Sequence, residues 1–333
     1  MRRFAAAAAR PIPWVETKAC DLRGLTVMGT SPGLVWAHGL GSSVASDERR
    51  GVCDILNPRI LGRTVLRVDL RGHGLSAAAH DPSRGAEQYT WPELGKDLRK
   101  AAAASLSRGY FGGEAMGAAV ALDAAVAATA SGSSDAPPGL VLMRPPAALA
   151  QLVKGGSVTD AWRQRLEEAA QRLESGGFDA LEAKEASPSL LDGSSAVYAS
   201  PSAEIDSELR QLRRAAVSSE VFAAALRGHS SSEAPGMAML RSLERKKEGD
   251  TPMAADAYGV PLRPGCPVLV LAVAGDPEHS IEAAEQLAAL LPGAELEVAE
   301  SLEHARLFWA KRIDKFLRQA WMKEFLTKRA MPQ

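Results

Sequence analysis

The segment 110–119, YFGGEAMGAA, joins a short apolar run to a helix built almost entirely of small residues. Gly113 and Gly117 stand two positions to either side of Ala115. Two glycines at this spacing permit a sharp turn from strand to helix, and the small residues after the turn allow the helix to approach a sheet closely. Such a turn exposes its central side chain and directs backbone N–H groups toward it. The segment therefore predicts an α/β fold with a functional site at Ala115.

Short apolar runs bounded by turn residues recur along the chain and predict buried parallel strands. The predicted strands are 33–37, 64–69, 109–111, 140–143 and 267–273. The segment 294–298 alternates apolar and acidic residues, which predicts a strand at a sheet edge. Helical patterns, including 116–130 and 281–291, lie between these runs. Strands that alternate with helices predict a doubly wound, mostly parallel α/β sheet.

The alternation of strands and helices stops at about residues 147–263, where amphipathic helical patterns occupy 161–175 and 204–216. An insertion at this point lies over the strand ends, where α/β sheets bind ligands. We therefore expect four parts along the chain. These are an N-terminal extension at 1–19, the core at 20–146 and 264–333, and a helical cap or lid inserted at 147–263.

Composition disfavours several classes of protein. The 333 residues carry a formal net charge of −1, whereas nucleic-acid-binding proteins normally have a basic excess. No apolar run reaches the roughly 18 to 20 residues of a membrane span. The three cysteines match no zinc or disulfide spacing, and neither a Walker loop nor a dinucleotide fingerprint occurs, so no metal or cofactor is expected. We expect a cytoplasmic protein. The basic, alanine-rich segment 1–13 is the alternative signal, typical of an organelle-targeting leader.

Two glycine-containing loops follow the first two predicted strands. The segment 36–41, WAHGLG, lets backbone N–H groups face a ligand, although a purely structural turn is an equal alternative. The residues of this loop that would support a site are His38, Gly39 and Gly41. In the segment 69–76, DLRGHGLS, Asp69 and Arg71 are more typical of residues that brace a loop than of residues that react.

A carboxylate and a histidine follow the last two predicted strands. Asp276 lies in GDPEH at 275–279, and His304 lies in SLEHARLFW at 301–309. Because the carboxyl ends of parallel strands share one edge of the sheet, these two side chains can meet. A carboxylate beside an imidazole fixes its tautomer and stabilises its cation. Taken alone, His304 is more typical of a surface histidine.

Together these motifs resemble the α/β-hydrolase superfamily, and within it the cap-bearing esterase, lipase and lactonase-like members, over about residues 20–320. The resemblance rests on HGLG at 38–41, DLRGHGLS at 69–76, GGEAMGAA at 112–119, GDPEH at 275–279 and SLEHARLFW at 301–309. The family's order of nucleophile, acid and histidine implies that these roles fall on Ala115, Asp276 and His304. We expect the structure to bring His304 close to both other residues.

The resemblance also implies an oxyanion hole formed by the backbone N–H groups of Leu40 and Met116. The chain departs from the family at Ala115, because alanine has no nucleophilic atom. Loss of the serine of a triad costs on the order of a millionfold in turnover. Glu114 is not expected to replace the serine, because a neighbouring side chain on this turn should point away from the site.

Three interpretations of Ala115 remain open. It is an engineered replacement of serine, or a natural loss that leaves a small-molecule-binding pseudoenzyme, or a sign of non-hydrolytic acid–base chemistry by His304 and Asp276, including activation of water. The scaffold suits hydrolysis of a carboxylic ester or a related small acyl compound, a reaction in which the chain as written should be severely impaired or inactive. The expected partner is a neutral, partly apolar small molecule. The sequence does not indicate an oligomeric state.

Overall fold

The computed structural model describes residues 14–106, 109–131, 136–149, 160–182, 203–232, 266–276, 279–291 and 293–330. Eight strands form one sheet. They are β1 (Val15–Ala19), β2 (Leu22–Val27), β3 (Thr30–Ala37), β4 (Arg63–Asp69), β5 (Gly109–Glu114), β6 (Leu140–Met143), β7 (Val268–Val273) and β8 (Ala294–Ala299). Their order across the sheet is β1-β2-β4-β3-β5-β6-β7-β8.

The sheet is mostly parallel and doubly wound, as the sequence predicts. Only β2 is antiparallel to its neighbours, β1 and β4, and every other pair is parallel. The chain places β4 on one side of β3 and β5 on the other. The carboxyl ends of β3 and β5 therefore lie at the point where the strand order reverses, which is where open α/β sheets bind ligands.

Helices follow most strands. They are α1 (Val44–Arg49), α2 (Val52–Ile55), α3 (Pro58–Leu61), α4 (Trp91–Ser105), α5 (Met116–Ala130), α6 (Asp160–Glu182), α7 (Ala203–Ala216), α8 (Ser219–Ser230), α9 (Ile281–Leu290) and α10 (Leu302–Ala330), with 3₁₀ helices at Gly74–Ala79 and Pro82–Tyr89. The helix α9 begins as predicted, because the Ser280 side chain accepts a hydrogen bond from Ala283 N at 3.2 Å. The chain kinks within α6 at Gly176 and Gly177, where the sequence predicts a stop.

Two apolar layers cover the sheet. One contains buried side chains of α4, α5, α6, α8 and α9 together with one face of the strands. The other contains α2, α3 and the buried face of α10. The helix α5 is almost entirely buried, which explains why its residues are small. Close packing of α5 on the sheet fixes the turn that precedes it.

The cap and the N-terminal extension are only partly described. The described residues between β6 and β7 form the helices α6, α7 and α8 and no strand. The limits at 147 and 263 remain predictions, because 150–159 and 251–265 lie outside the described residues. Of the predicted extension 1–19, residues 1–13 also lie outside them. No described helix combines the length and the apolar character that crossing a membrane requires.

Candidate functional site

Ala115 occupies the turn between β5 and α5 in a strained backbone conformation. Its φ is 51° and its ψ is −115°, a region that residues with a side chain rarely adopt. The amide of Ala115 donates to Met143 O at 2.9 Å, which ties the turn to the end of β6. Strain of this kind persists only where the surrounding structure enforces it, and it concentrates at functional sites.

Gly113 and Gly117 are required by the close approach of backbones around this turn. A Cβ at Gly113 would lie 2.3 Å from the carbonyl of Gly117, and a Cβ at Gly117 would lie 2.1 Å from Ala37 O. Neither position has room for any side chain. The two glycines thus allow α5 to start directly against β3 and hold Ala115 at the end of the sheet.

The loop after β3 lies beside Ala115. A Cβ built on Gly39 would lie 3.6 Å from the Cβ of Ala115. Gly41, with a φ of 67°, turns the loop, and Ser42 N donates to Gly39 O at 3.1 Å. In the part of the chain that the structure describes, the amides of Leu40 and Met116 donate to no backbone carbonyl. Both N–H groups are therefore free to bind an acceptor, as an oxyanion hole requires.

His38 holds the loop in place. Its Nδ1 is 2.7 Å from Gly39 O, and its Nε2 accepts a hydrogen bond from Leu70 N at 2.9 Å. These partners assign the proton to Nδ1 and leave the ring neutral. Burial lowers the pKa of His38 to about 4, which keeps it neutral at pH 7. His38 joins the loops after β3 and β4 and has no ring nitrogen left for a ligand.

Asp69 and Arg71 make the bracing contacts that the sequence favours. The Asp69 carboxylate accepts from Val44 N at 2.6 Å and from Leu75 N at 2.8 Å. The guanidinium of Arg71 donates to both carboxylate oxygens of Asp97. Burial raises the pKa of Asp69 to about 6. These contacts fix the loop after β4 and explain its charged residues without a catalytic role.

Asp276 is buried and bonded to an arginine that the sequence did not indicate. Its Oδ2 accepts from Arg144 Nε at 2.7 Å, and its Oδ1 accepts from His279 N at 3.1 Å. Burial raises the pKa of Asp276, but the hydrogen bond from His279 and the charge of Arg144 outweigh burial and hold it well below its usual range. Asp276 is therefore ionised, and its charge is compensated by Arg144.

Arg144 connects Asp276 to the elbow. Its Nη1 donates to Glu114 Oε1 at 2.7 Å, and both of these side chains are fully buried. Arg50 Nη2 lies 3.5 Å from the other oxygen of Glu114 and also bonds Asp47. The Glu114 carboxylate is thus held by two arginines directly beneath the turn. It neutralises them and is not free to act as a nucleophile.

His279 is the histidine that accompanies Asp276. Its Nδ1 lies 3.3 Å from Asp276 Oδ2 and 3.3 Å from Arg144 Nη2. Burial and the charge of Arg144 lower its pKa, so the ring is neutral at pH 7. The sequence contained this pair within GDPEH, three residues apart. The spacing in GDPEH could therefore have pointed to His279. The prediction fell on His304 instead, because His304 matches the order that the resemblance implies.

The expected contact between His304 and Asp276 is not formed. His304 Nδ1 lies 3.9 Å from Glu300 Oε2, its ring contacts Phe308, and its side chain is 41% exposed. The reason is local: Ser301 caps the start of α10 by accepting from His304 N at 3.1 Å. His304 therefore lies in the first helical turn on the solvent side. The catalytic roles of Ala115, Asp276 and His304 stay predictions.

Among the described residues, no group of three His, Cys, Asp or Glu side chains is arranged to hold a metal ion. Arg144 directly follows β6, at the carboxyl edge of the sheet. A charged residue directly after a buried strand was the signal that could have identified it. Arg144 pairs with the carboxylates of both Glu114 and Asp276, and Asp276 also contacts His279.

No protein-family model and no curated protein matches the chain. Solved structures do. A thermophilic esterase from Thermogutta terrifontis, with malate bound, is 18% identical at a TM-score of 0.57, over 93% of this chain and 98% of that one. The enol-lactonase from Burkholderia xenovorans LB400 is 18% identical at a TM-score of 0.56, over 92% of this chain and 100% of that one. The bottromycin epimerase BotH, in complex with bottromycin A2, is 17% identical at a TM-score of 0.56, over 91% of this chain and 98% of that one.

The chain has the α/β-hydrolase fold. At such low identity the likeness shows the fold alone, and these α/β-hydrolase structures include an esterase, a lactonase and an epimerase. The fold therefore does not select one reaction, and function has to be argued from the residues of the site.

Proposed function

We propose that this protein binds a small, partly apolar carbonyl compound at the turn of Ala115 and does not hydrolyse it through an acyl-enzyme. It is a pseudoenzyme on an α/β-hydrolase scaffold. Alanine supplies no nucleophilic oxygen, and acyl-enzyme formation requires one. The proposal accounts for a turn that keeps its strain and its glycines while lacking the reactive atom.

The observation that carries the proposal is the ion pair between Arg144 and Asp276. The two groups meet at 2.7 Å in a buried position. A triad acid must be free to accept the Nδ1 proton of a histidine and to stabilise its cation. Asp276 instead pairs with a permanent cation, and the histidine recorded beside it is His279 and not the predicted His304. Restoring the serine would therefore not restore the triad, which favours a natural loss over a recent Ser→Ala replacement.

Recognition of a carbonyl group follows from the amides of Leu40 and Met116. Two N–H groups without a backbone acceptor beside an apolar side chain suit a neutral oxygen acceptor and an attached apolar group. Ala115, buried with 6% of its surface exposed, would contact the carbonyl carbon where a serine oxygen would otherwise attack. Ketones, esters, amides and lactones share this chemistry.

The test of lost hydrolysis is the variant Ala115→Ser. We expect it to fold, to remain unlabelled by a fluorophosphonate probe and to hydrolyse no member of a p-nitrophenyl ester panel above the rate of the parent chain. An active serine esterase treated in parallel serves as the labelling control. Labelling and turnover in the Ala115→Ser variant would reject the proposal and establish a latent hydrolase.

The test of binding uses calorimetry with a panel of lactones and methyl ketones. Gly39→Ala places a methyl group 3.6 Å from the Ala115 Cβ, an ordinary contact that fills the space above the turn. We expect it to weaken binding about tenfold or more while the fold is kept. Gly139→Ala, at the opposite end of the sheet, is the matched control. Equal binding by both variants would place the ligand elsewhere.

A second candidate function is non-hydrolytic proton transfer. It is favoured by the buried pair of His279 and Asp276, because a neutral imidazole beside a carboxylate is a suitable general base. One of the neighbours in fold is an epimerase. Loss of deuterium from a labelled carbon acid bound by the protein, abolished in His279→Gln, would support this function. Retention of the label would exclude it for that ligand.

A further inference from the structure

The outer face of α10 exposes large apolar side chains to solvent. They are Leu307 (67% exposed), Phe308 (53%), Trp321 (36%), Met322 (55%), Phe325 (42%) and Leu326 (58%). The other large apolar residues with comparable exposure in the described chain are scattered over β1, the β2–β3 turn, a 3₁₀ helix and β8. Concentration on one helix face marks an interaction surface, since singly exposed apolar residues are normal.

In the described part of the chain, the core packs against the other face of α10. The opposite face of α10 carries Trp309, Ile313 and Phe316, which are buried against the sheet. At about 100° per residue, the exposed apolar positions lie roughly 180° around the helix from that buried face. Ala320 is the last buried position among those of α10 whose burial is described, and 321–323, 325 and 326 are all exposed.

Basic side chains lie between the apolar groups on the same face. Lys311, Lys315 and Arg318 are exposed and fall between the two apolar ends of the stripe. The nearest acid, Asp314, is bonded to Arg318 at 2.8 Å and is mostly covered. Arg312 instead faces β8, where it pairs with two glutamates. The outer face is therefore positive at its centre and apolar at both ends.

We propose that the outer face of α10 docks on an anionic lipid bilayer. Its charge complements acidic headgroups, while its leucine, methionine and aromatic side chains enter the boundary between headgroups and acyl chains. Trp321, with its amphipathic ring near one end, suits the interface. A second copy of the chain would bring like charges together, and a nucleic acid would leave Leu307 and Met322 without apolar partners. Docking of this kind requires no membrane-spanning helix.

The test is sedimentation of the full chain with vesicles of phosphatidylcholine alone or with 30% phosphatidylglycerol. We expect binding to the anionic vesicles only, weakened by salt. Lys311→Glu with Lys315→Glu should lower the partition coefficient about tenfold or more, and Met322→Glu should lower it further. Lys18→Glu with Met28→Glu, a charge reversal and an apolar-to-acid change on β1 and in the β2–β3 turn, is the matched control and should bind like the parent chain.

A spectroscopic readout separates docking from nonspecific adsorption. Binding to anionic vesicles should shift the tryptophan emission to the blue, and Trp321→Phe should remove that shift while the chain still sediments with the vesicles. Several outcomes would overturn the proposal. These are no sedimentation with anionic vesicles, equal binding by the α10 and control variants, or a dimer in sedimentation velocity that the α10 variants abolish.

Discussion

Arg144 determines what Asp276 can do in this protein. The guanidinium of Arg144 lies between two buried carboxylates and pairs with both, while Asp276 also contacts the ring of the neighbouring His279. These ion pairs affect the chemistry available at the carboxyl ends of the strands, although the fold is that of an α/β-hydrolase. The proposal of lost hydrolysis therefore rests on one side chain, at the end of β6.

We predict that Arg144→Met lowers the free energy of unfolding by about 3 to 5 kcal/mol, because Glu114 and Asp276 would remain buried without their shared partner. Urea unfolding followed by circular dichroism measures this change. The matched control is Arg214→Met, which removes an arginine paired with two carboxylates at the surface and should cost about 1 kcal/mol or less. A loss at Arg144 no larger than that of the control would contradict the buried network.

Some features of the site could be predicted from the sequence, and others could not. The position and strain of Ala115 could be predicted, because Gly113 and Gly117 encode them through backbone spacing. The partner of Asp276 could not, because chain order fixes which strand ends are neighbours and does not fix side-chain rotamers. The cap of α10 turned His304 outward, and the competing charge that holds Asp276 comes from another strand.

Among the elements, α8 joins the helices between β6 and β7 to the sheet core. Trp91 Nε1 donates to His229 Nδ1 at 2.8 Å, and Trp91 N donates to Ser232 Oγ at 3.0 Å. On its other side, Arg227 binds Glu167 and Glu174 of α6. The end of α8 is therefore fixed to the start of α4.

We predict that Gly228→Ala destabilises the protein by about 1 to 3 kcal/mol, although alanine is the better helix former. Its Cβ would lie 2.6 Å from Ala86 O and 2.7 Å from the Cβ of Tyr89. Thermal unfolding gives the loss of stability, and hydrogen exchange should show faster exchange of the α8 amides. Gly139→Ala, with its nearest atom at 3.3 Å, is the control. A Gly228→Ala variant as stable as the parent would show that α8 is free to shift.

The elements that the sequence missed have no single cause. Seven of the twelve residues of α8 are buried, and only Glu220, Arg227 and His229 have ionisable side chains, so few polar residues mark this segment. The hairpin of β1 and β2 has charged residues at the edge of the sheet, where one side faces water. By contrast β6 and α5 were predicted with the bounds that the structure has, because uniform burial leaves uninterrupted apolar runs.

For the molecule as a whole, buried neutral histidines set the response to pH. Burial lowers the pKa of His38 to about 4, of His73 to about 4 and of His229 to about 3. His229 accepts from Trp91 where α8 meets α4, whereas His73 contacts Arg71 and His38 in the loops after β4 and β3. Each gains a proton in the unfolded chain near pH 6.5 and in the folded chain only at much lower pH.

We predict that the free energy of unfolding is constant above about pH 6.5 and falls by several kcal/mol as the pH drops from 6.5 to 4, because the unfolded state binds more protons over that range. Asp69 opposes this loss, since burial raises its pKa to about 6 and the folded state then takes up a proton first. Burial likewise raises the pKa values of Asp47 and Asp97 and lowers that of His279. We expect the four lowered imidazole pKa values to outweigh the three raised carboxyl pKa values, so that the net slope stays positive with pH. Urea unfolding at intervals of half a pH unit measures it. His73→Gln should flatten the dependence, and an unchanged slope in His73→Gln would show that the buried imidazoles do not control acid stability.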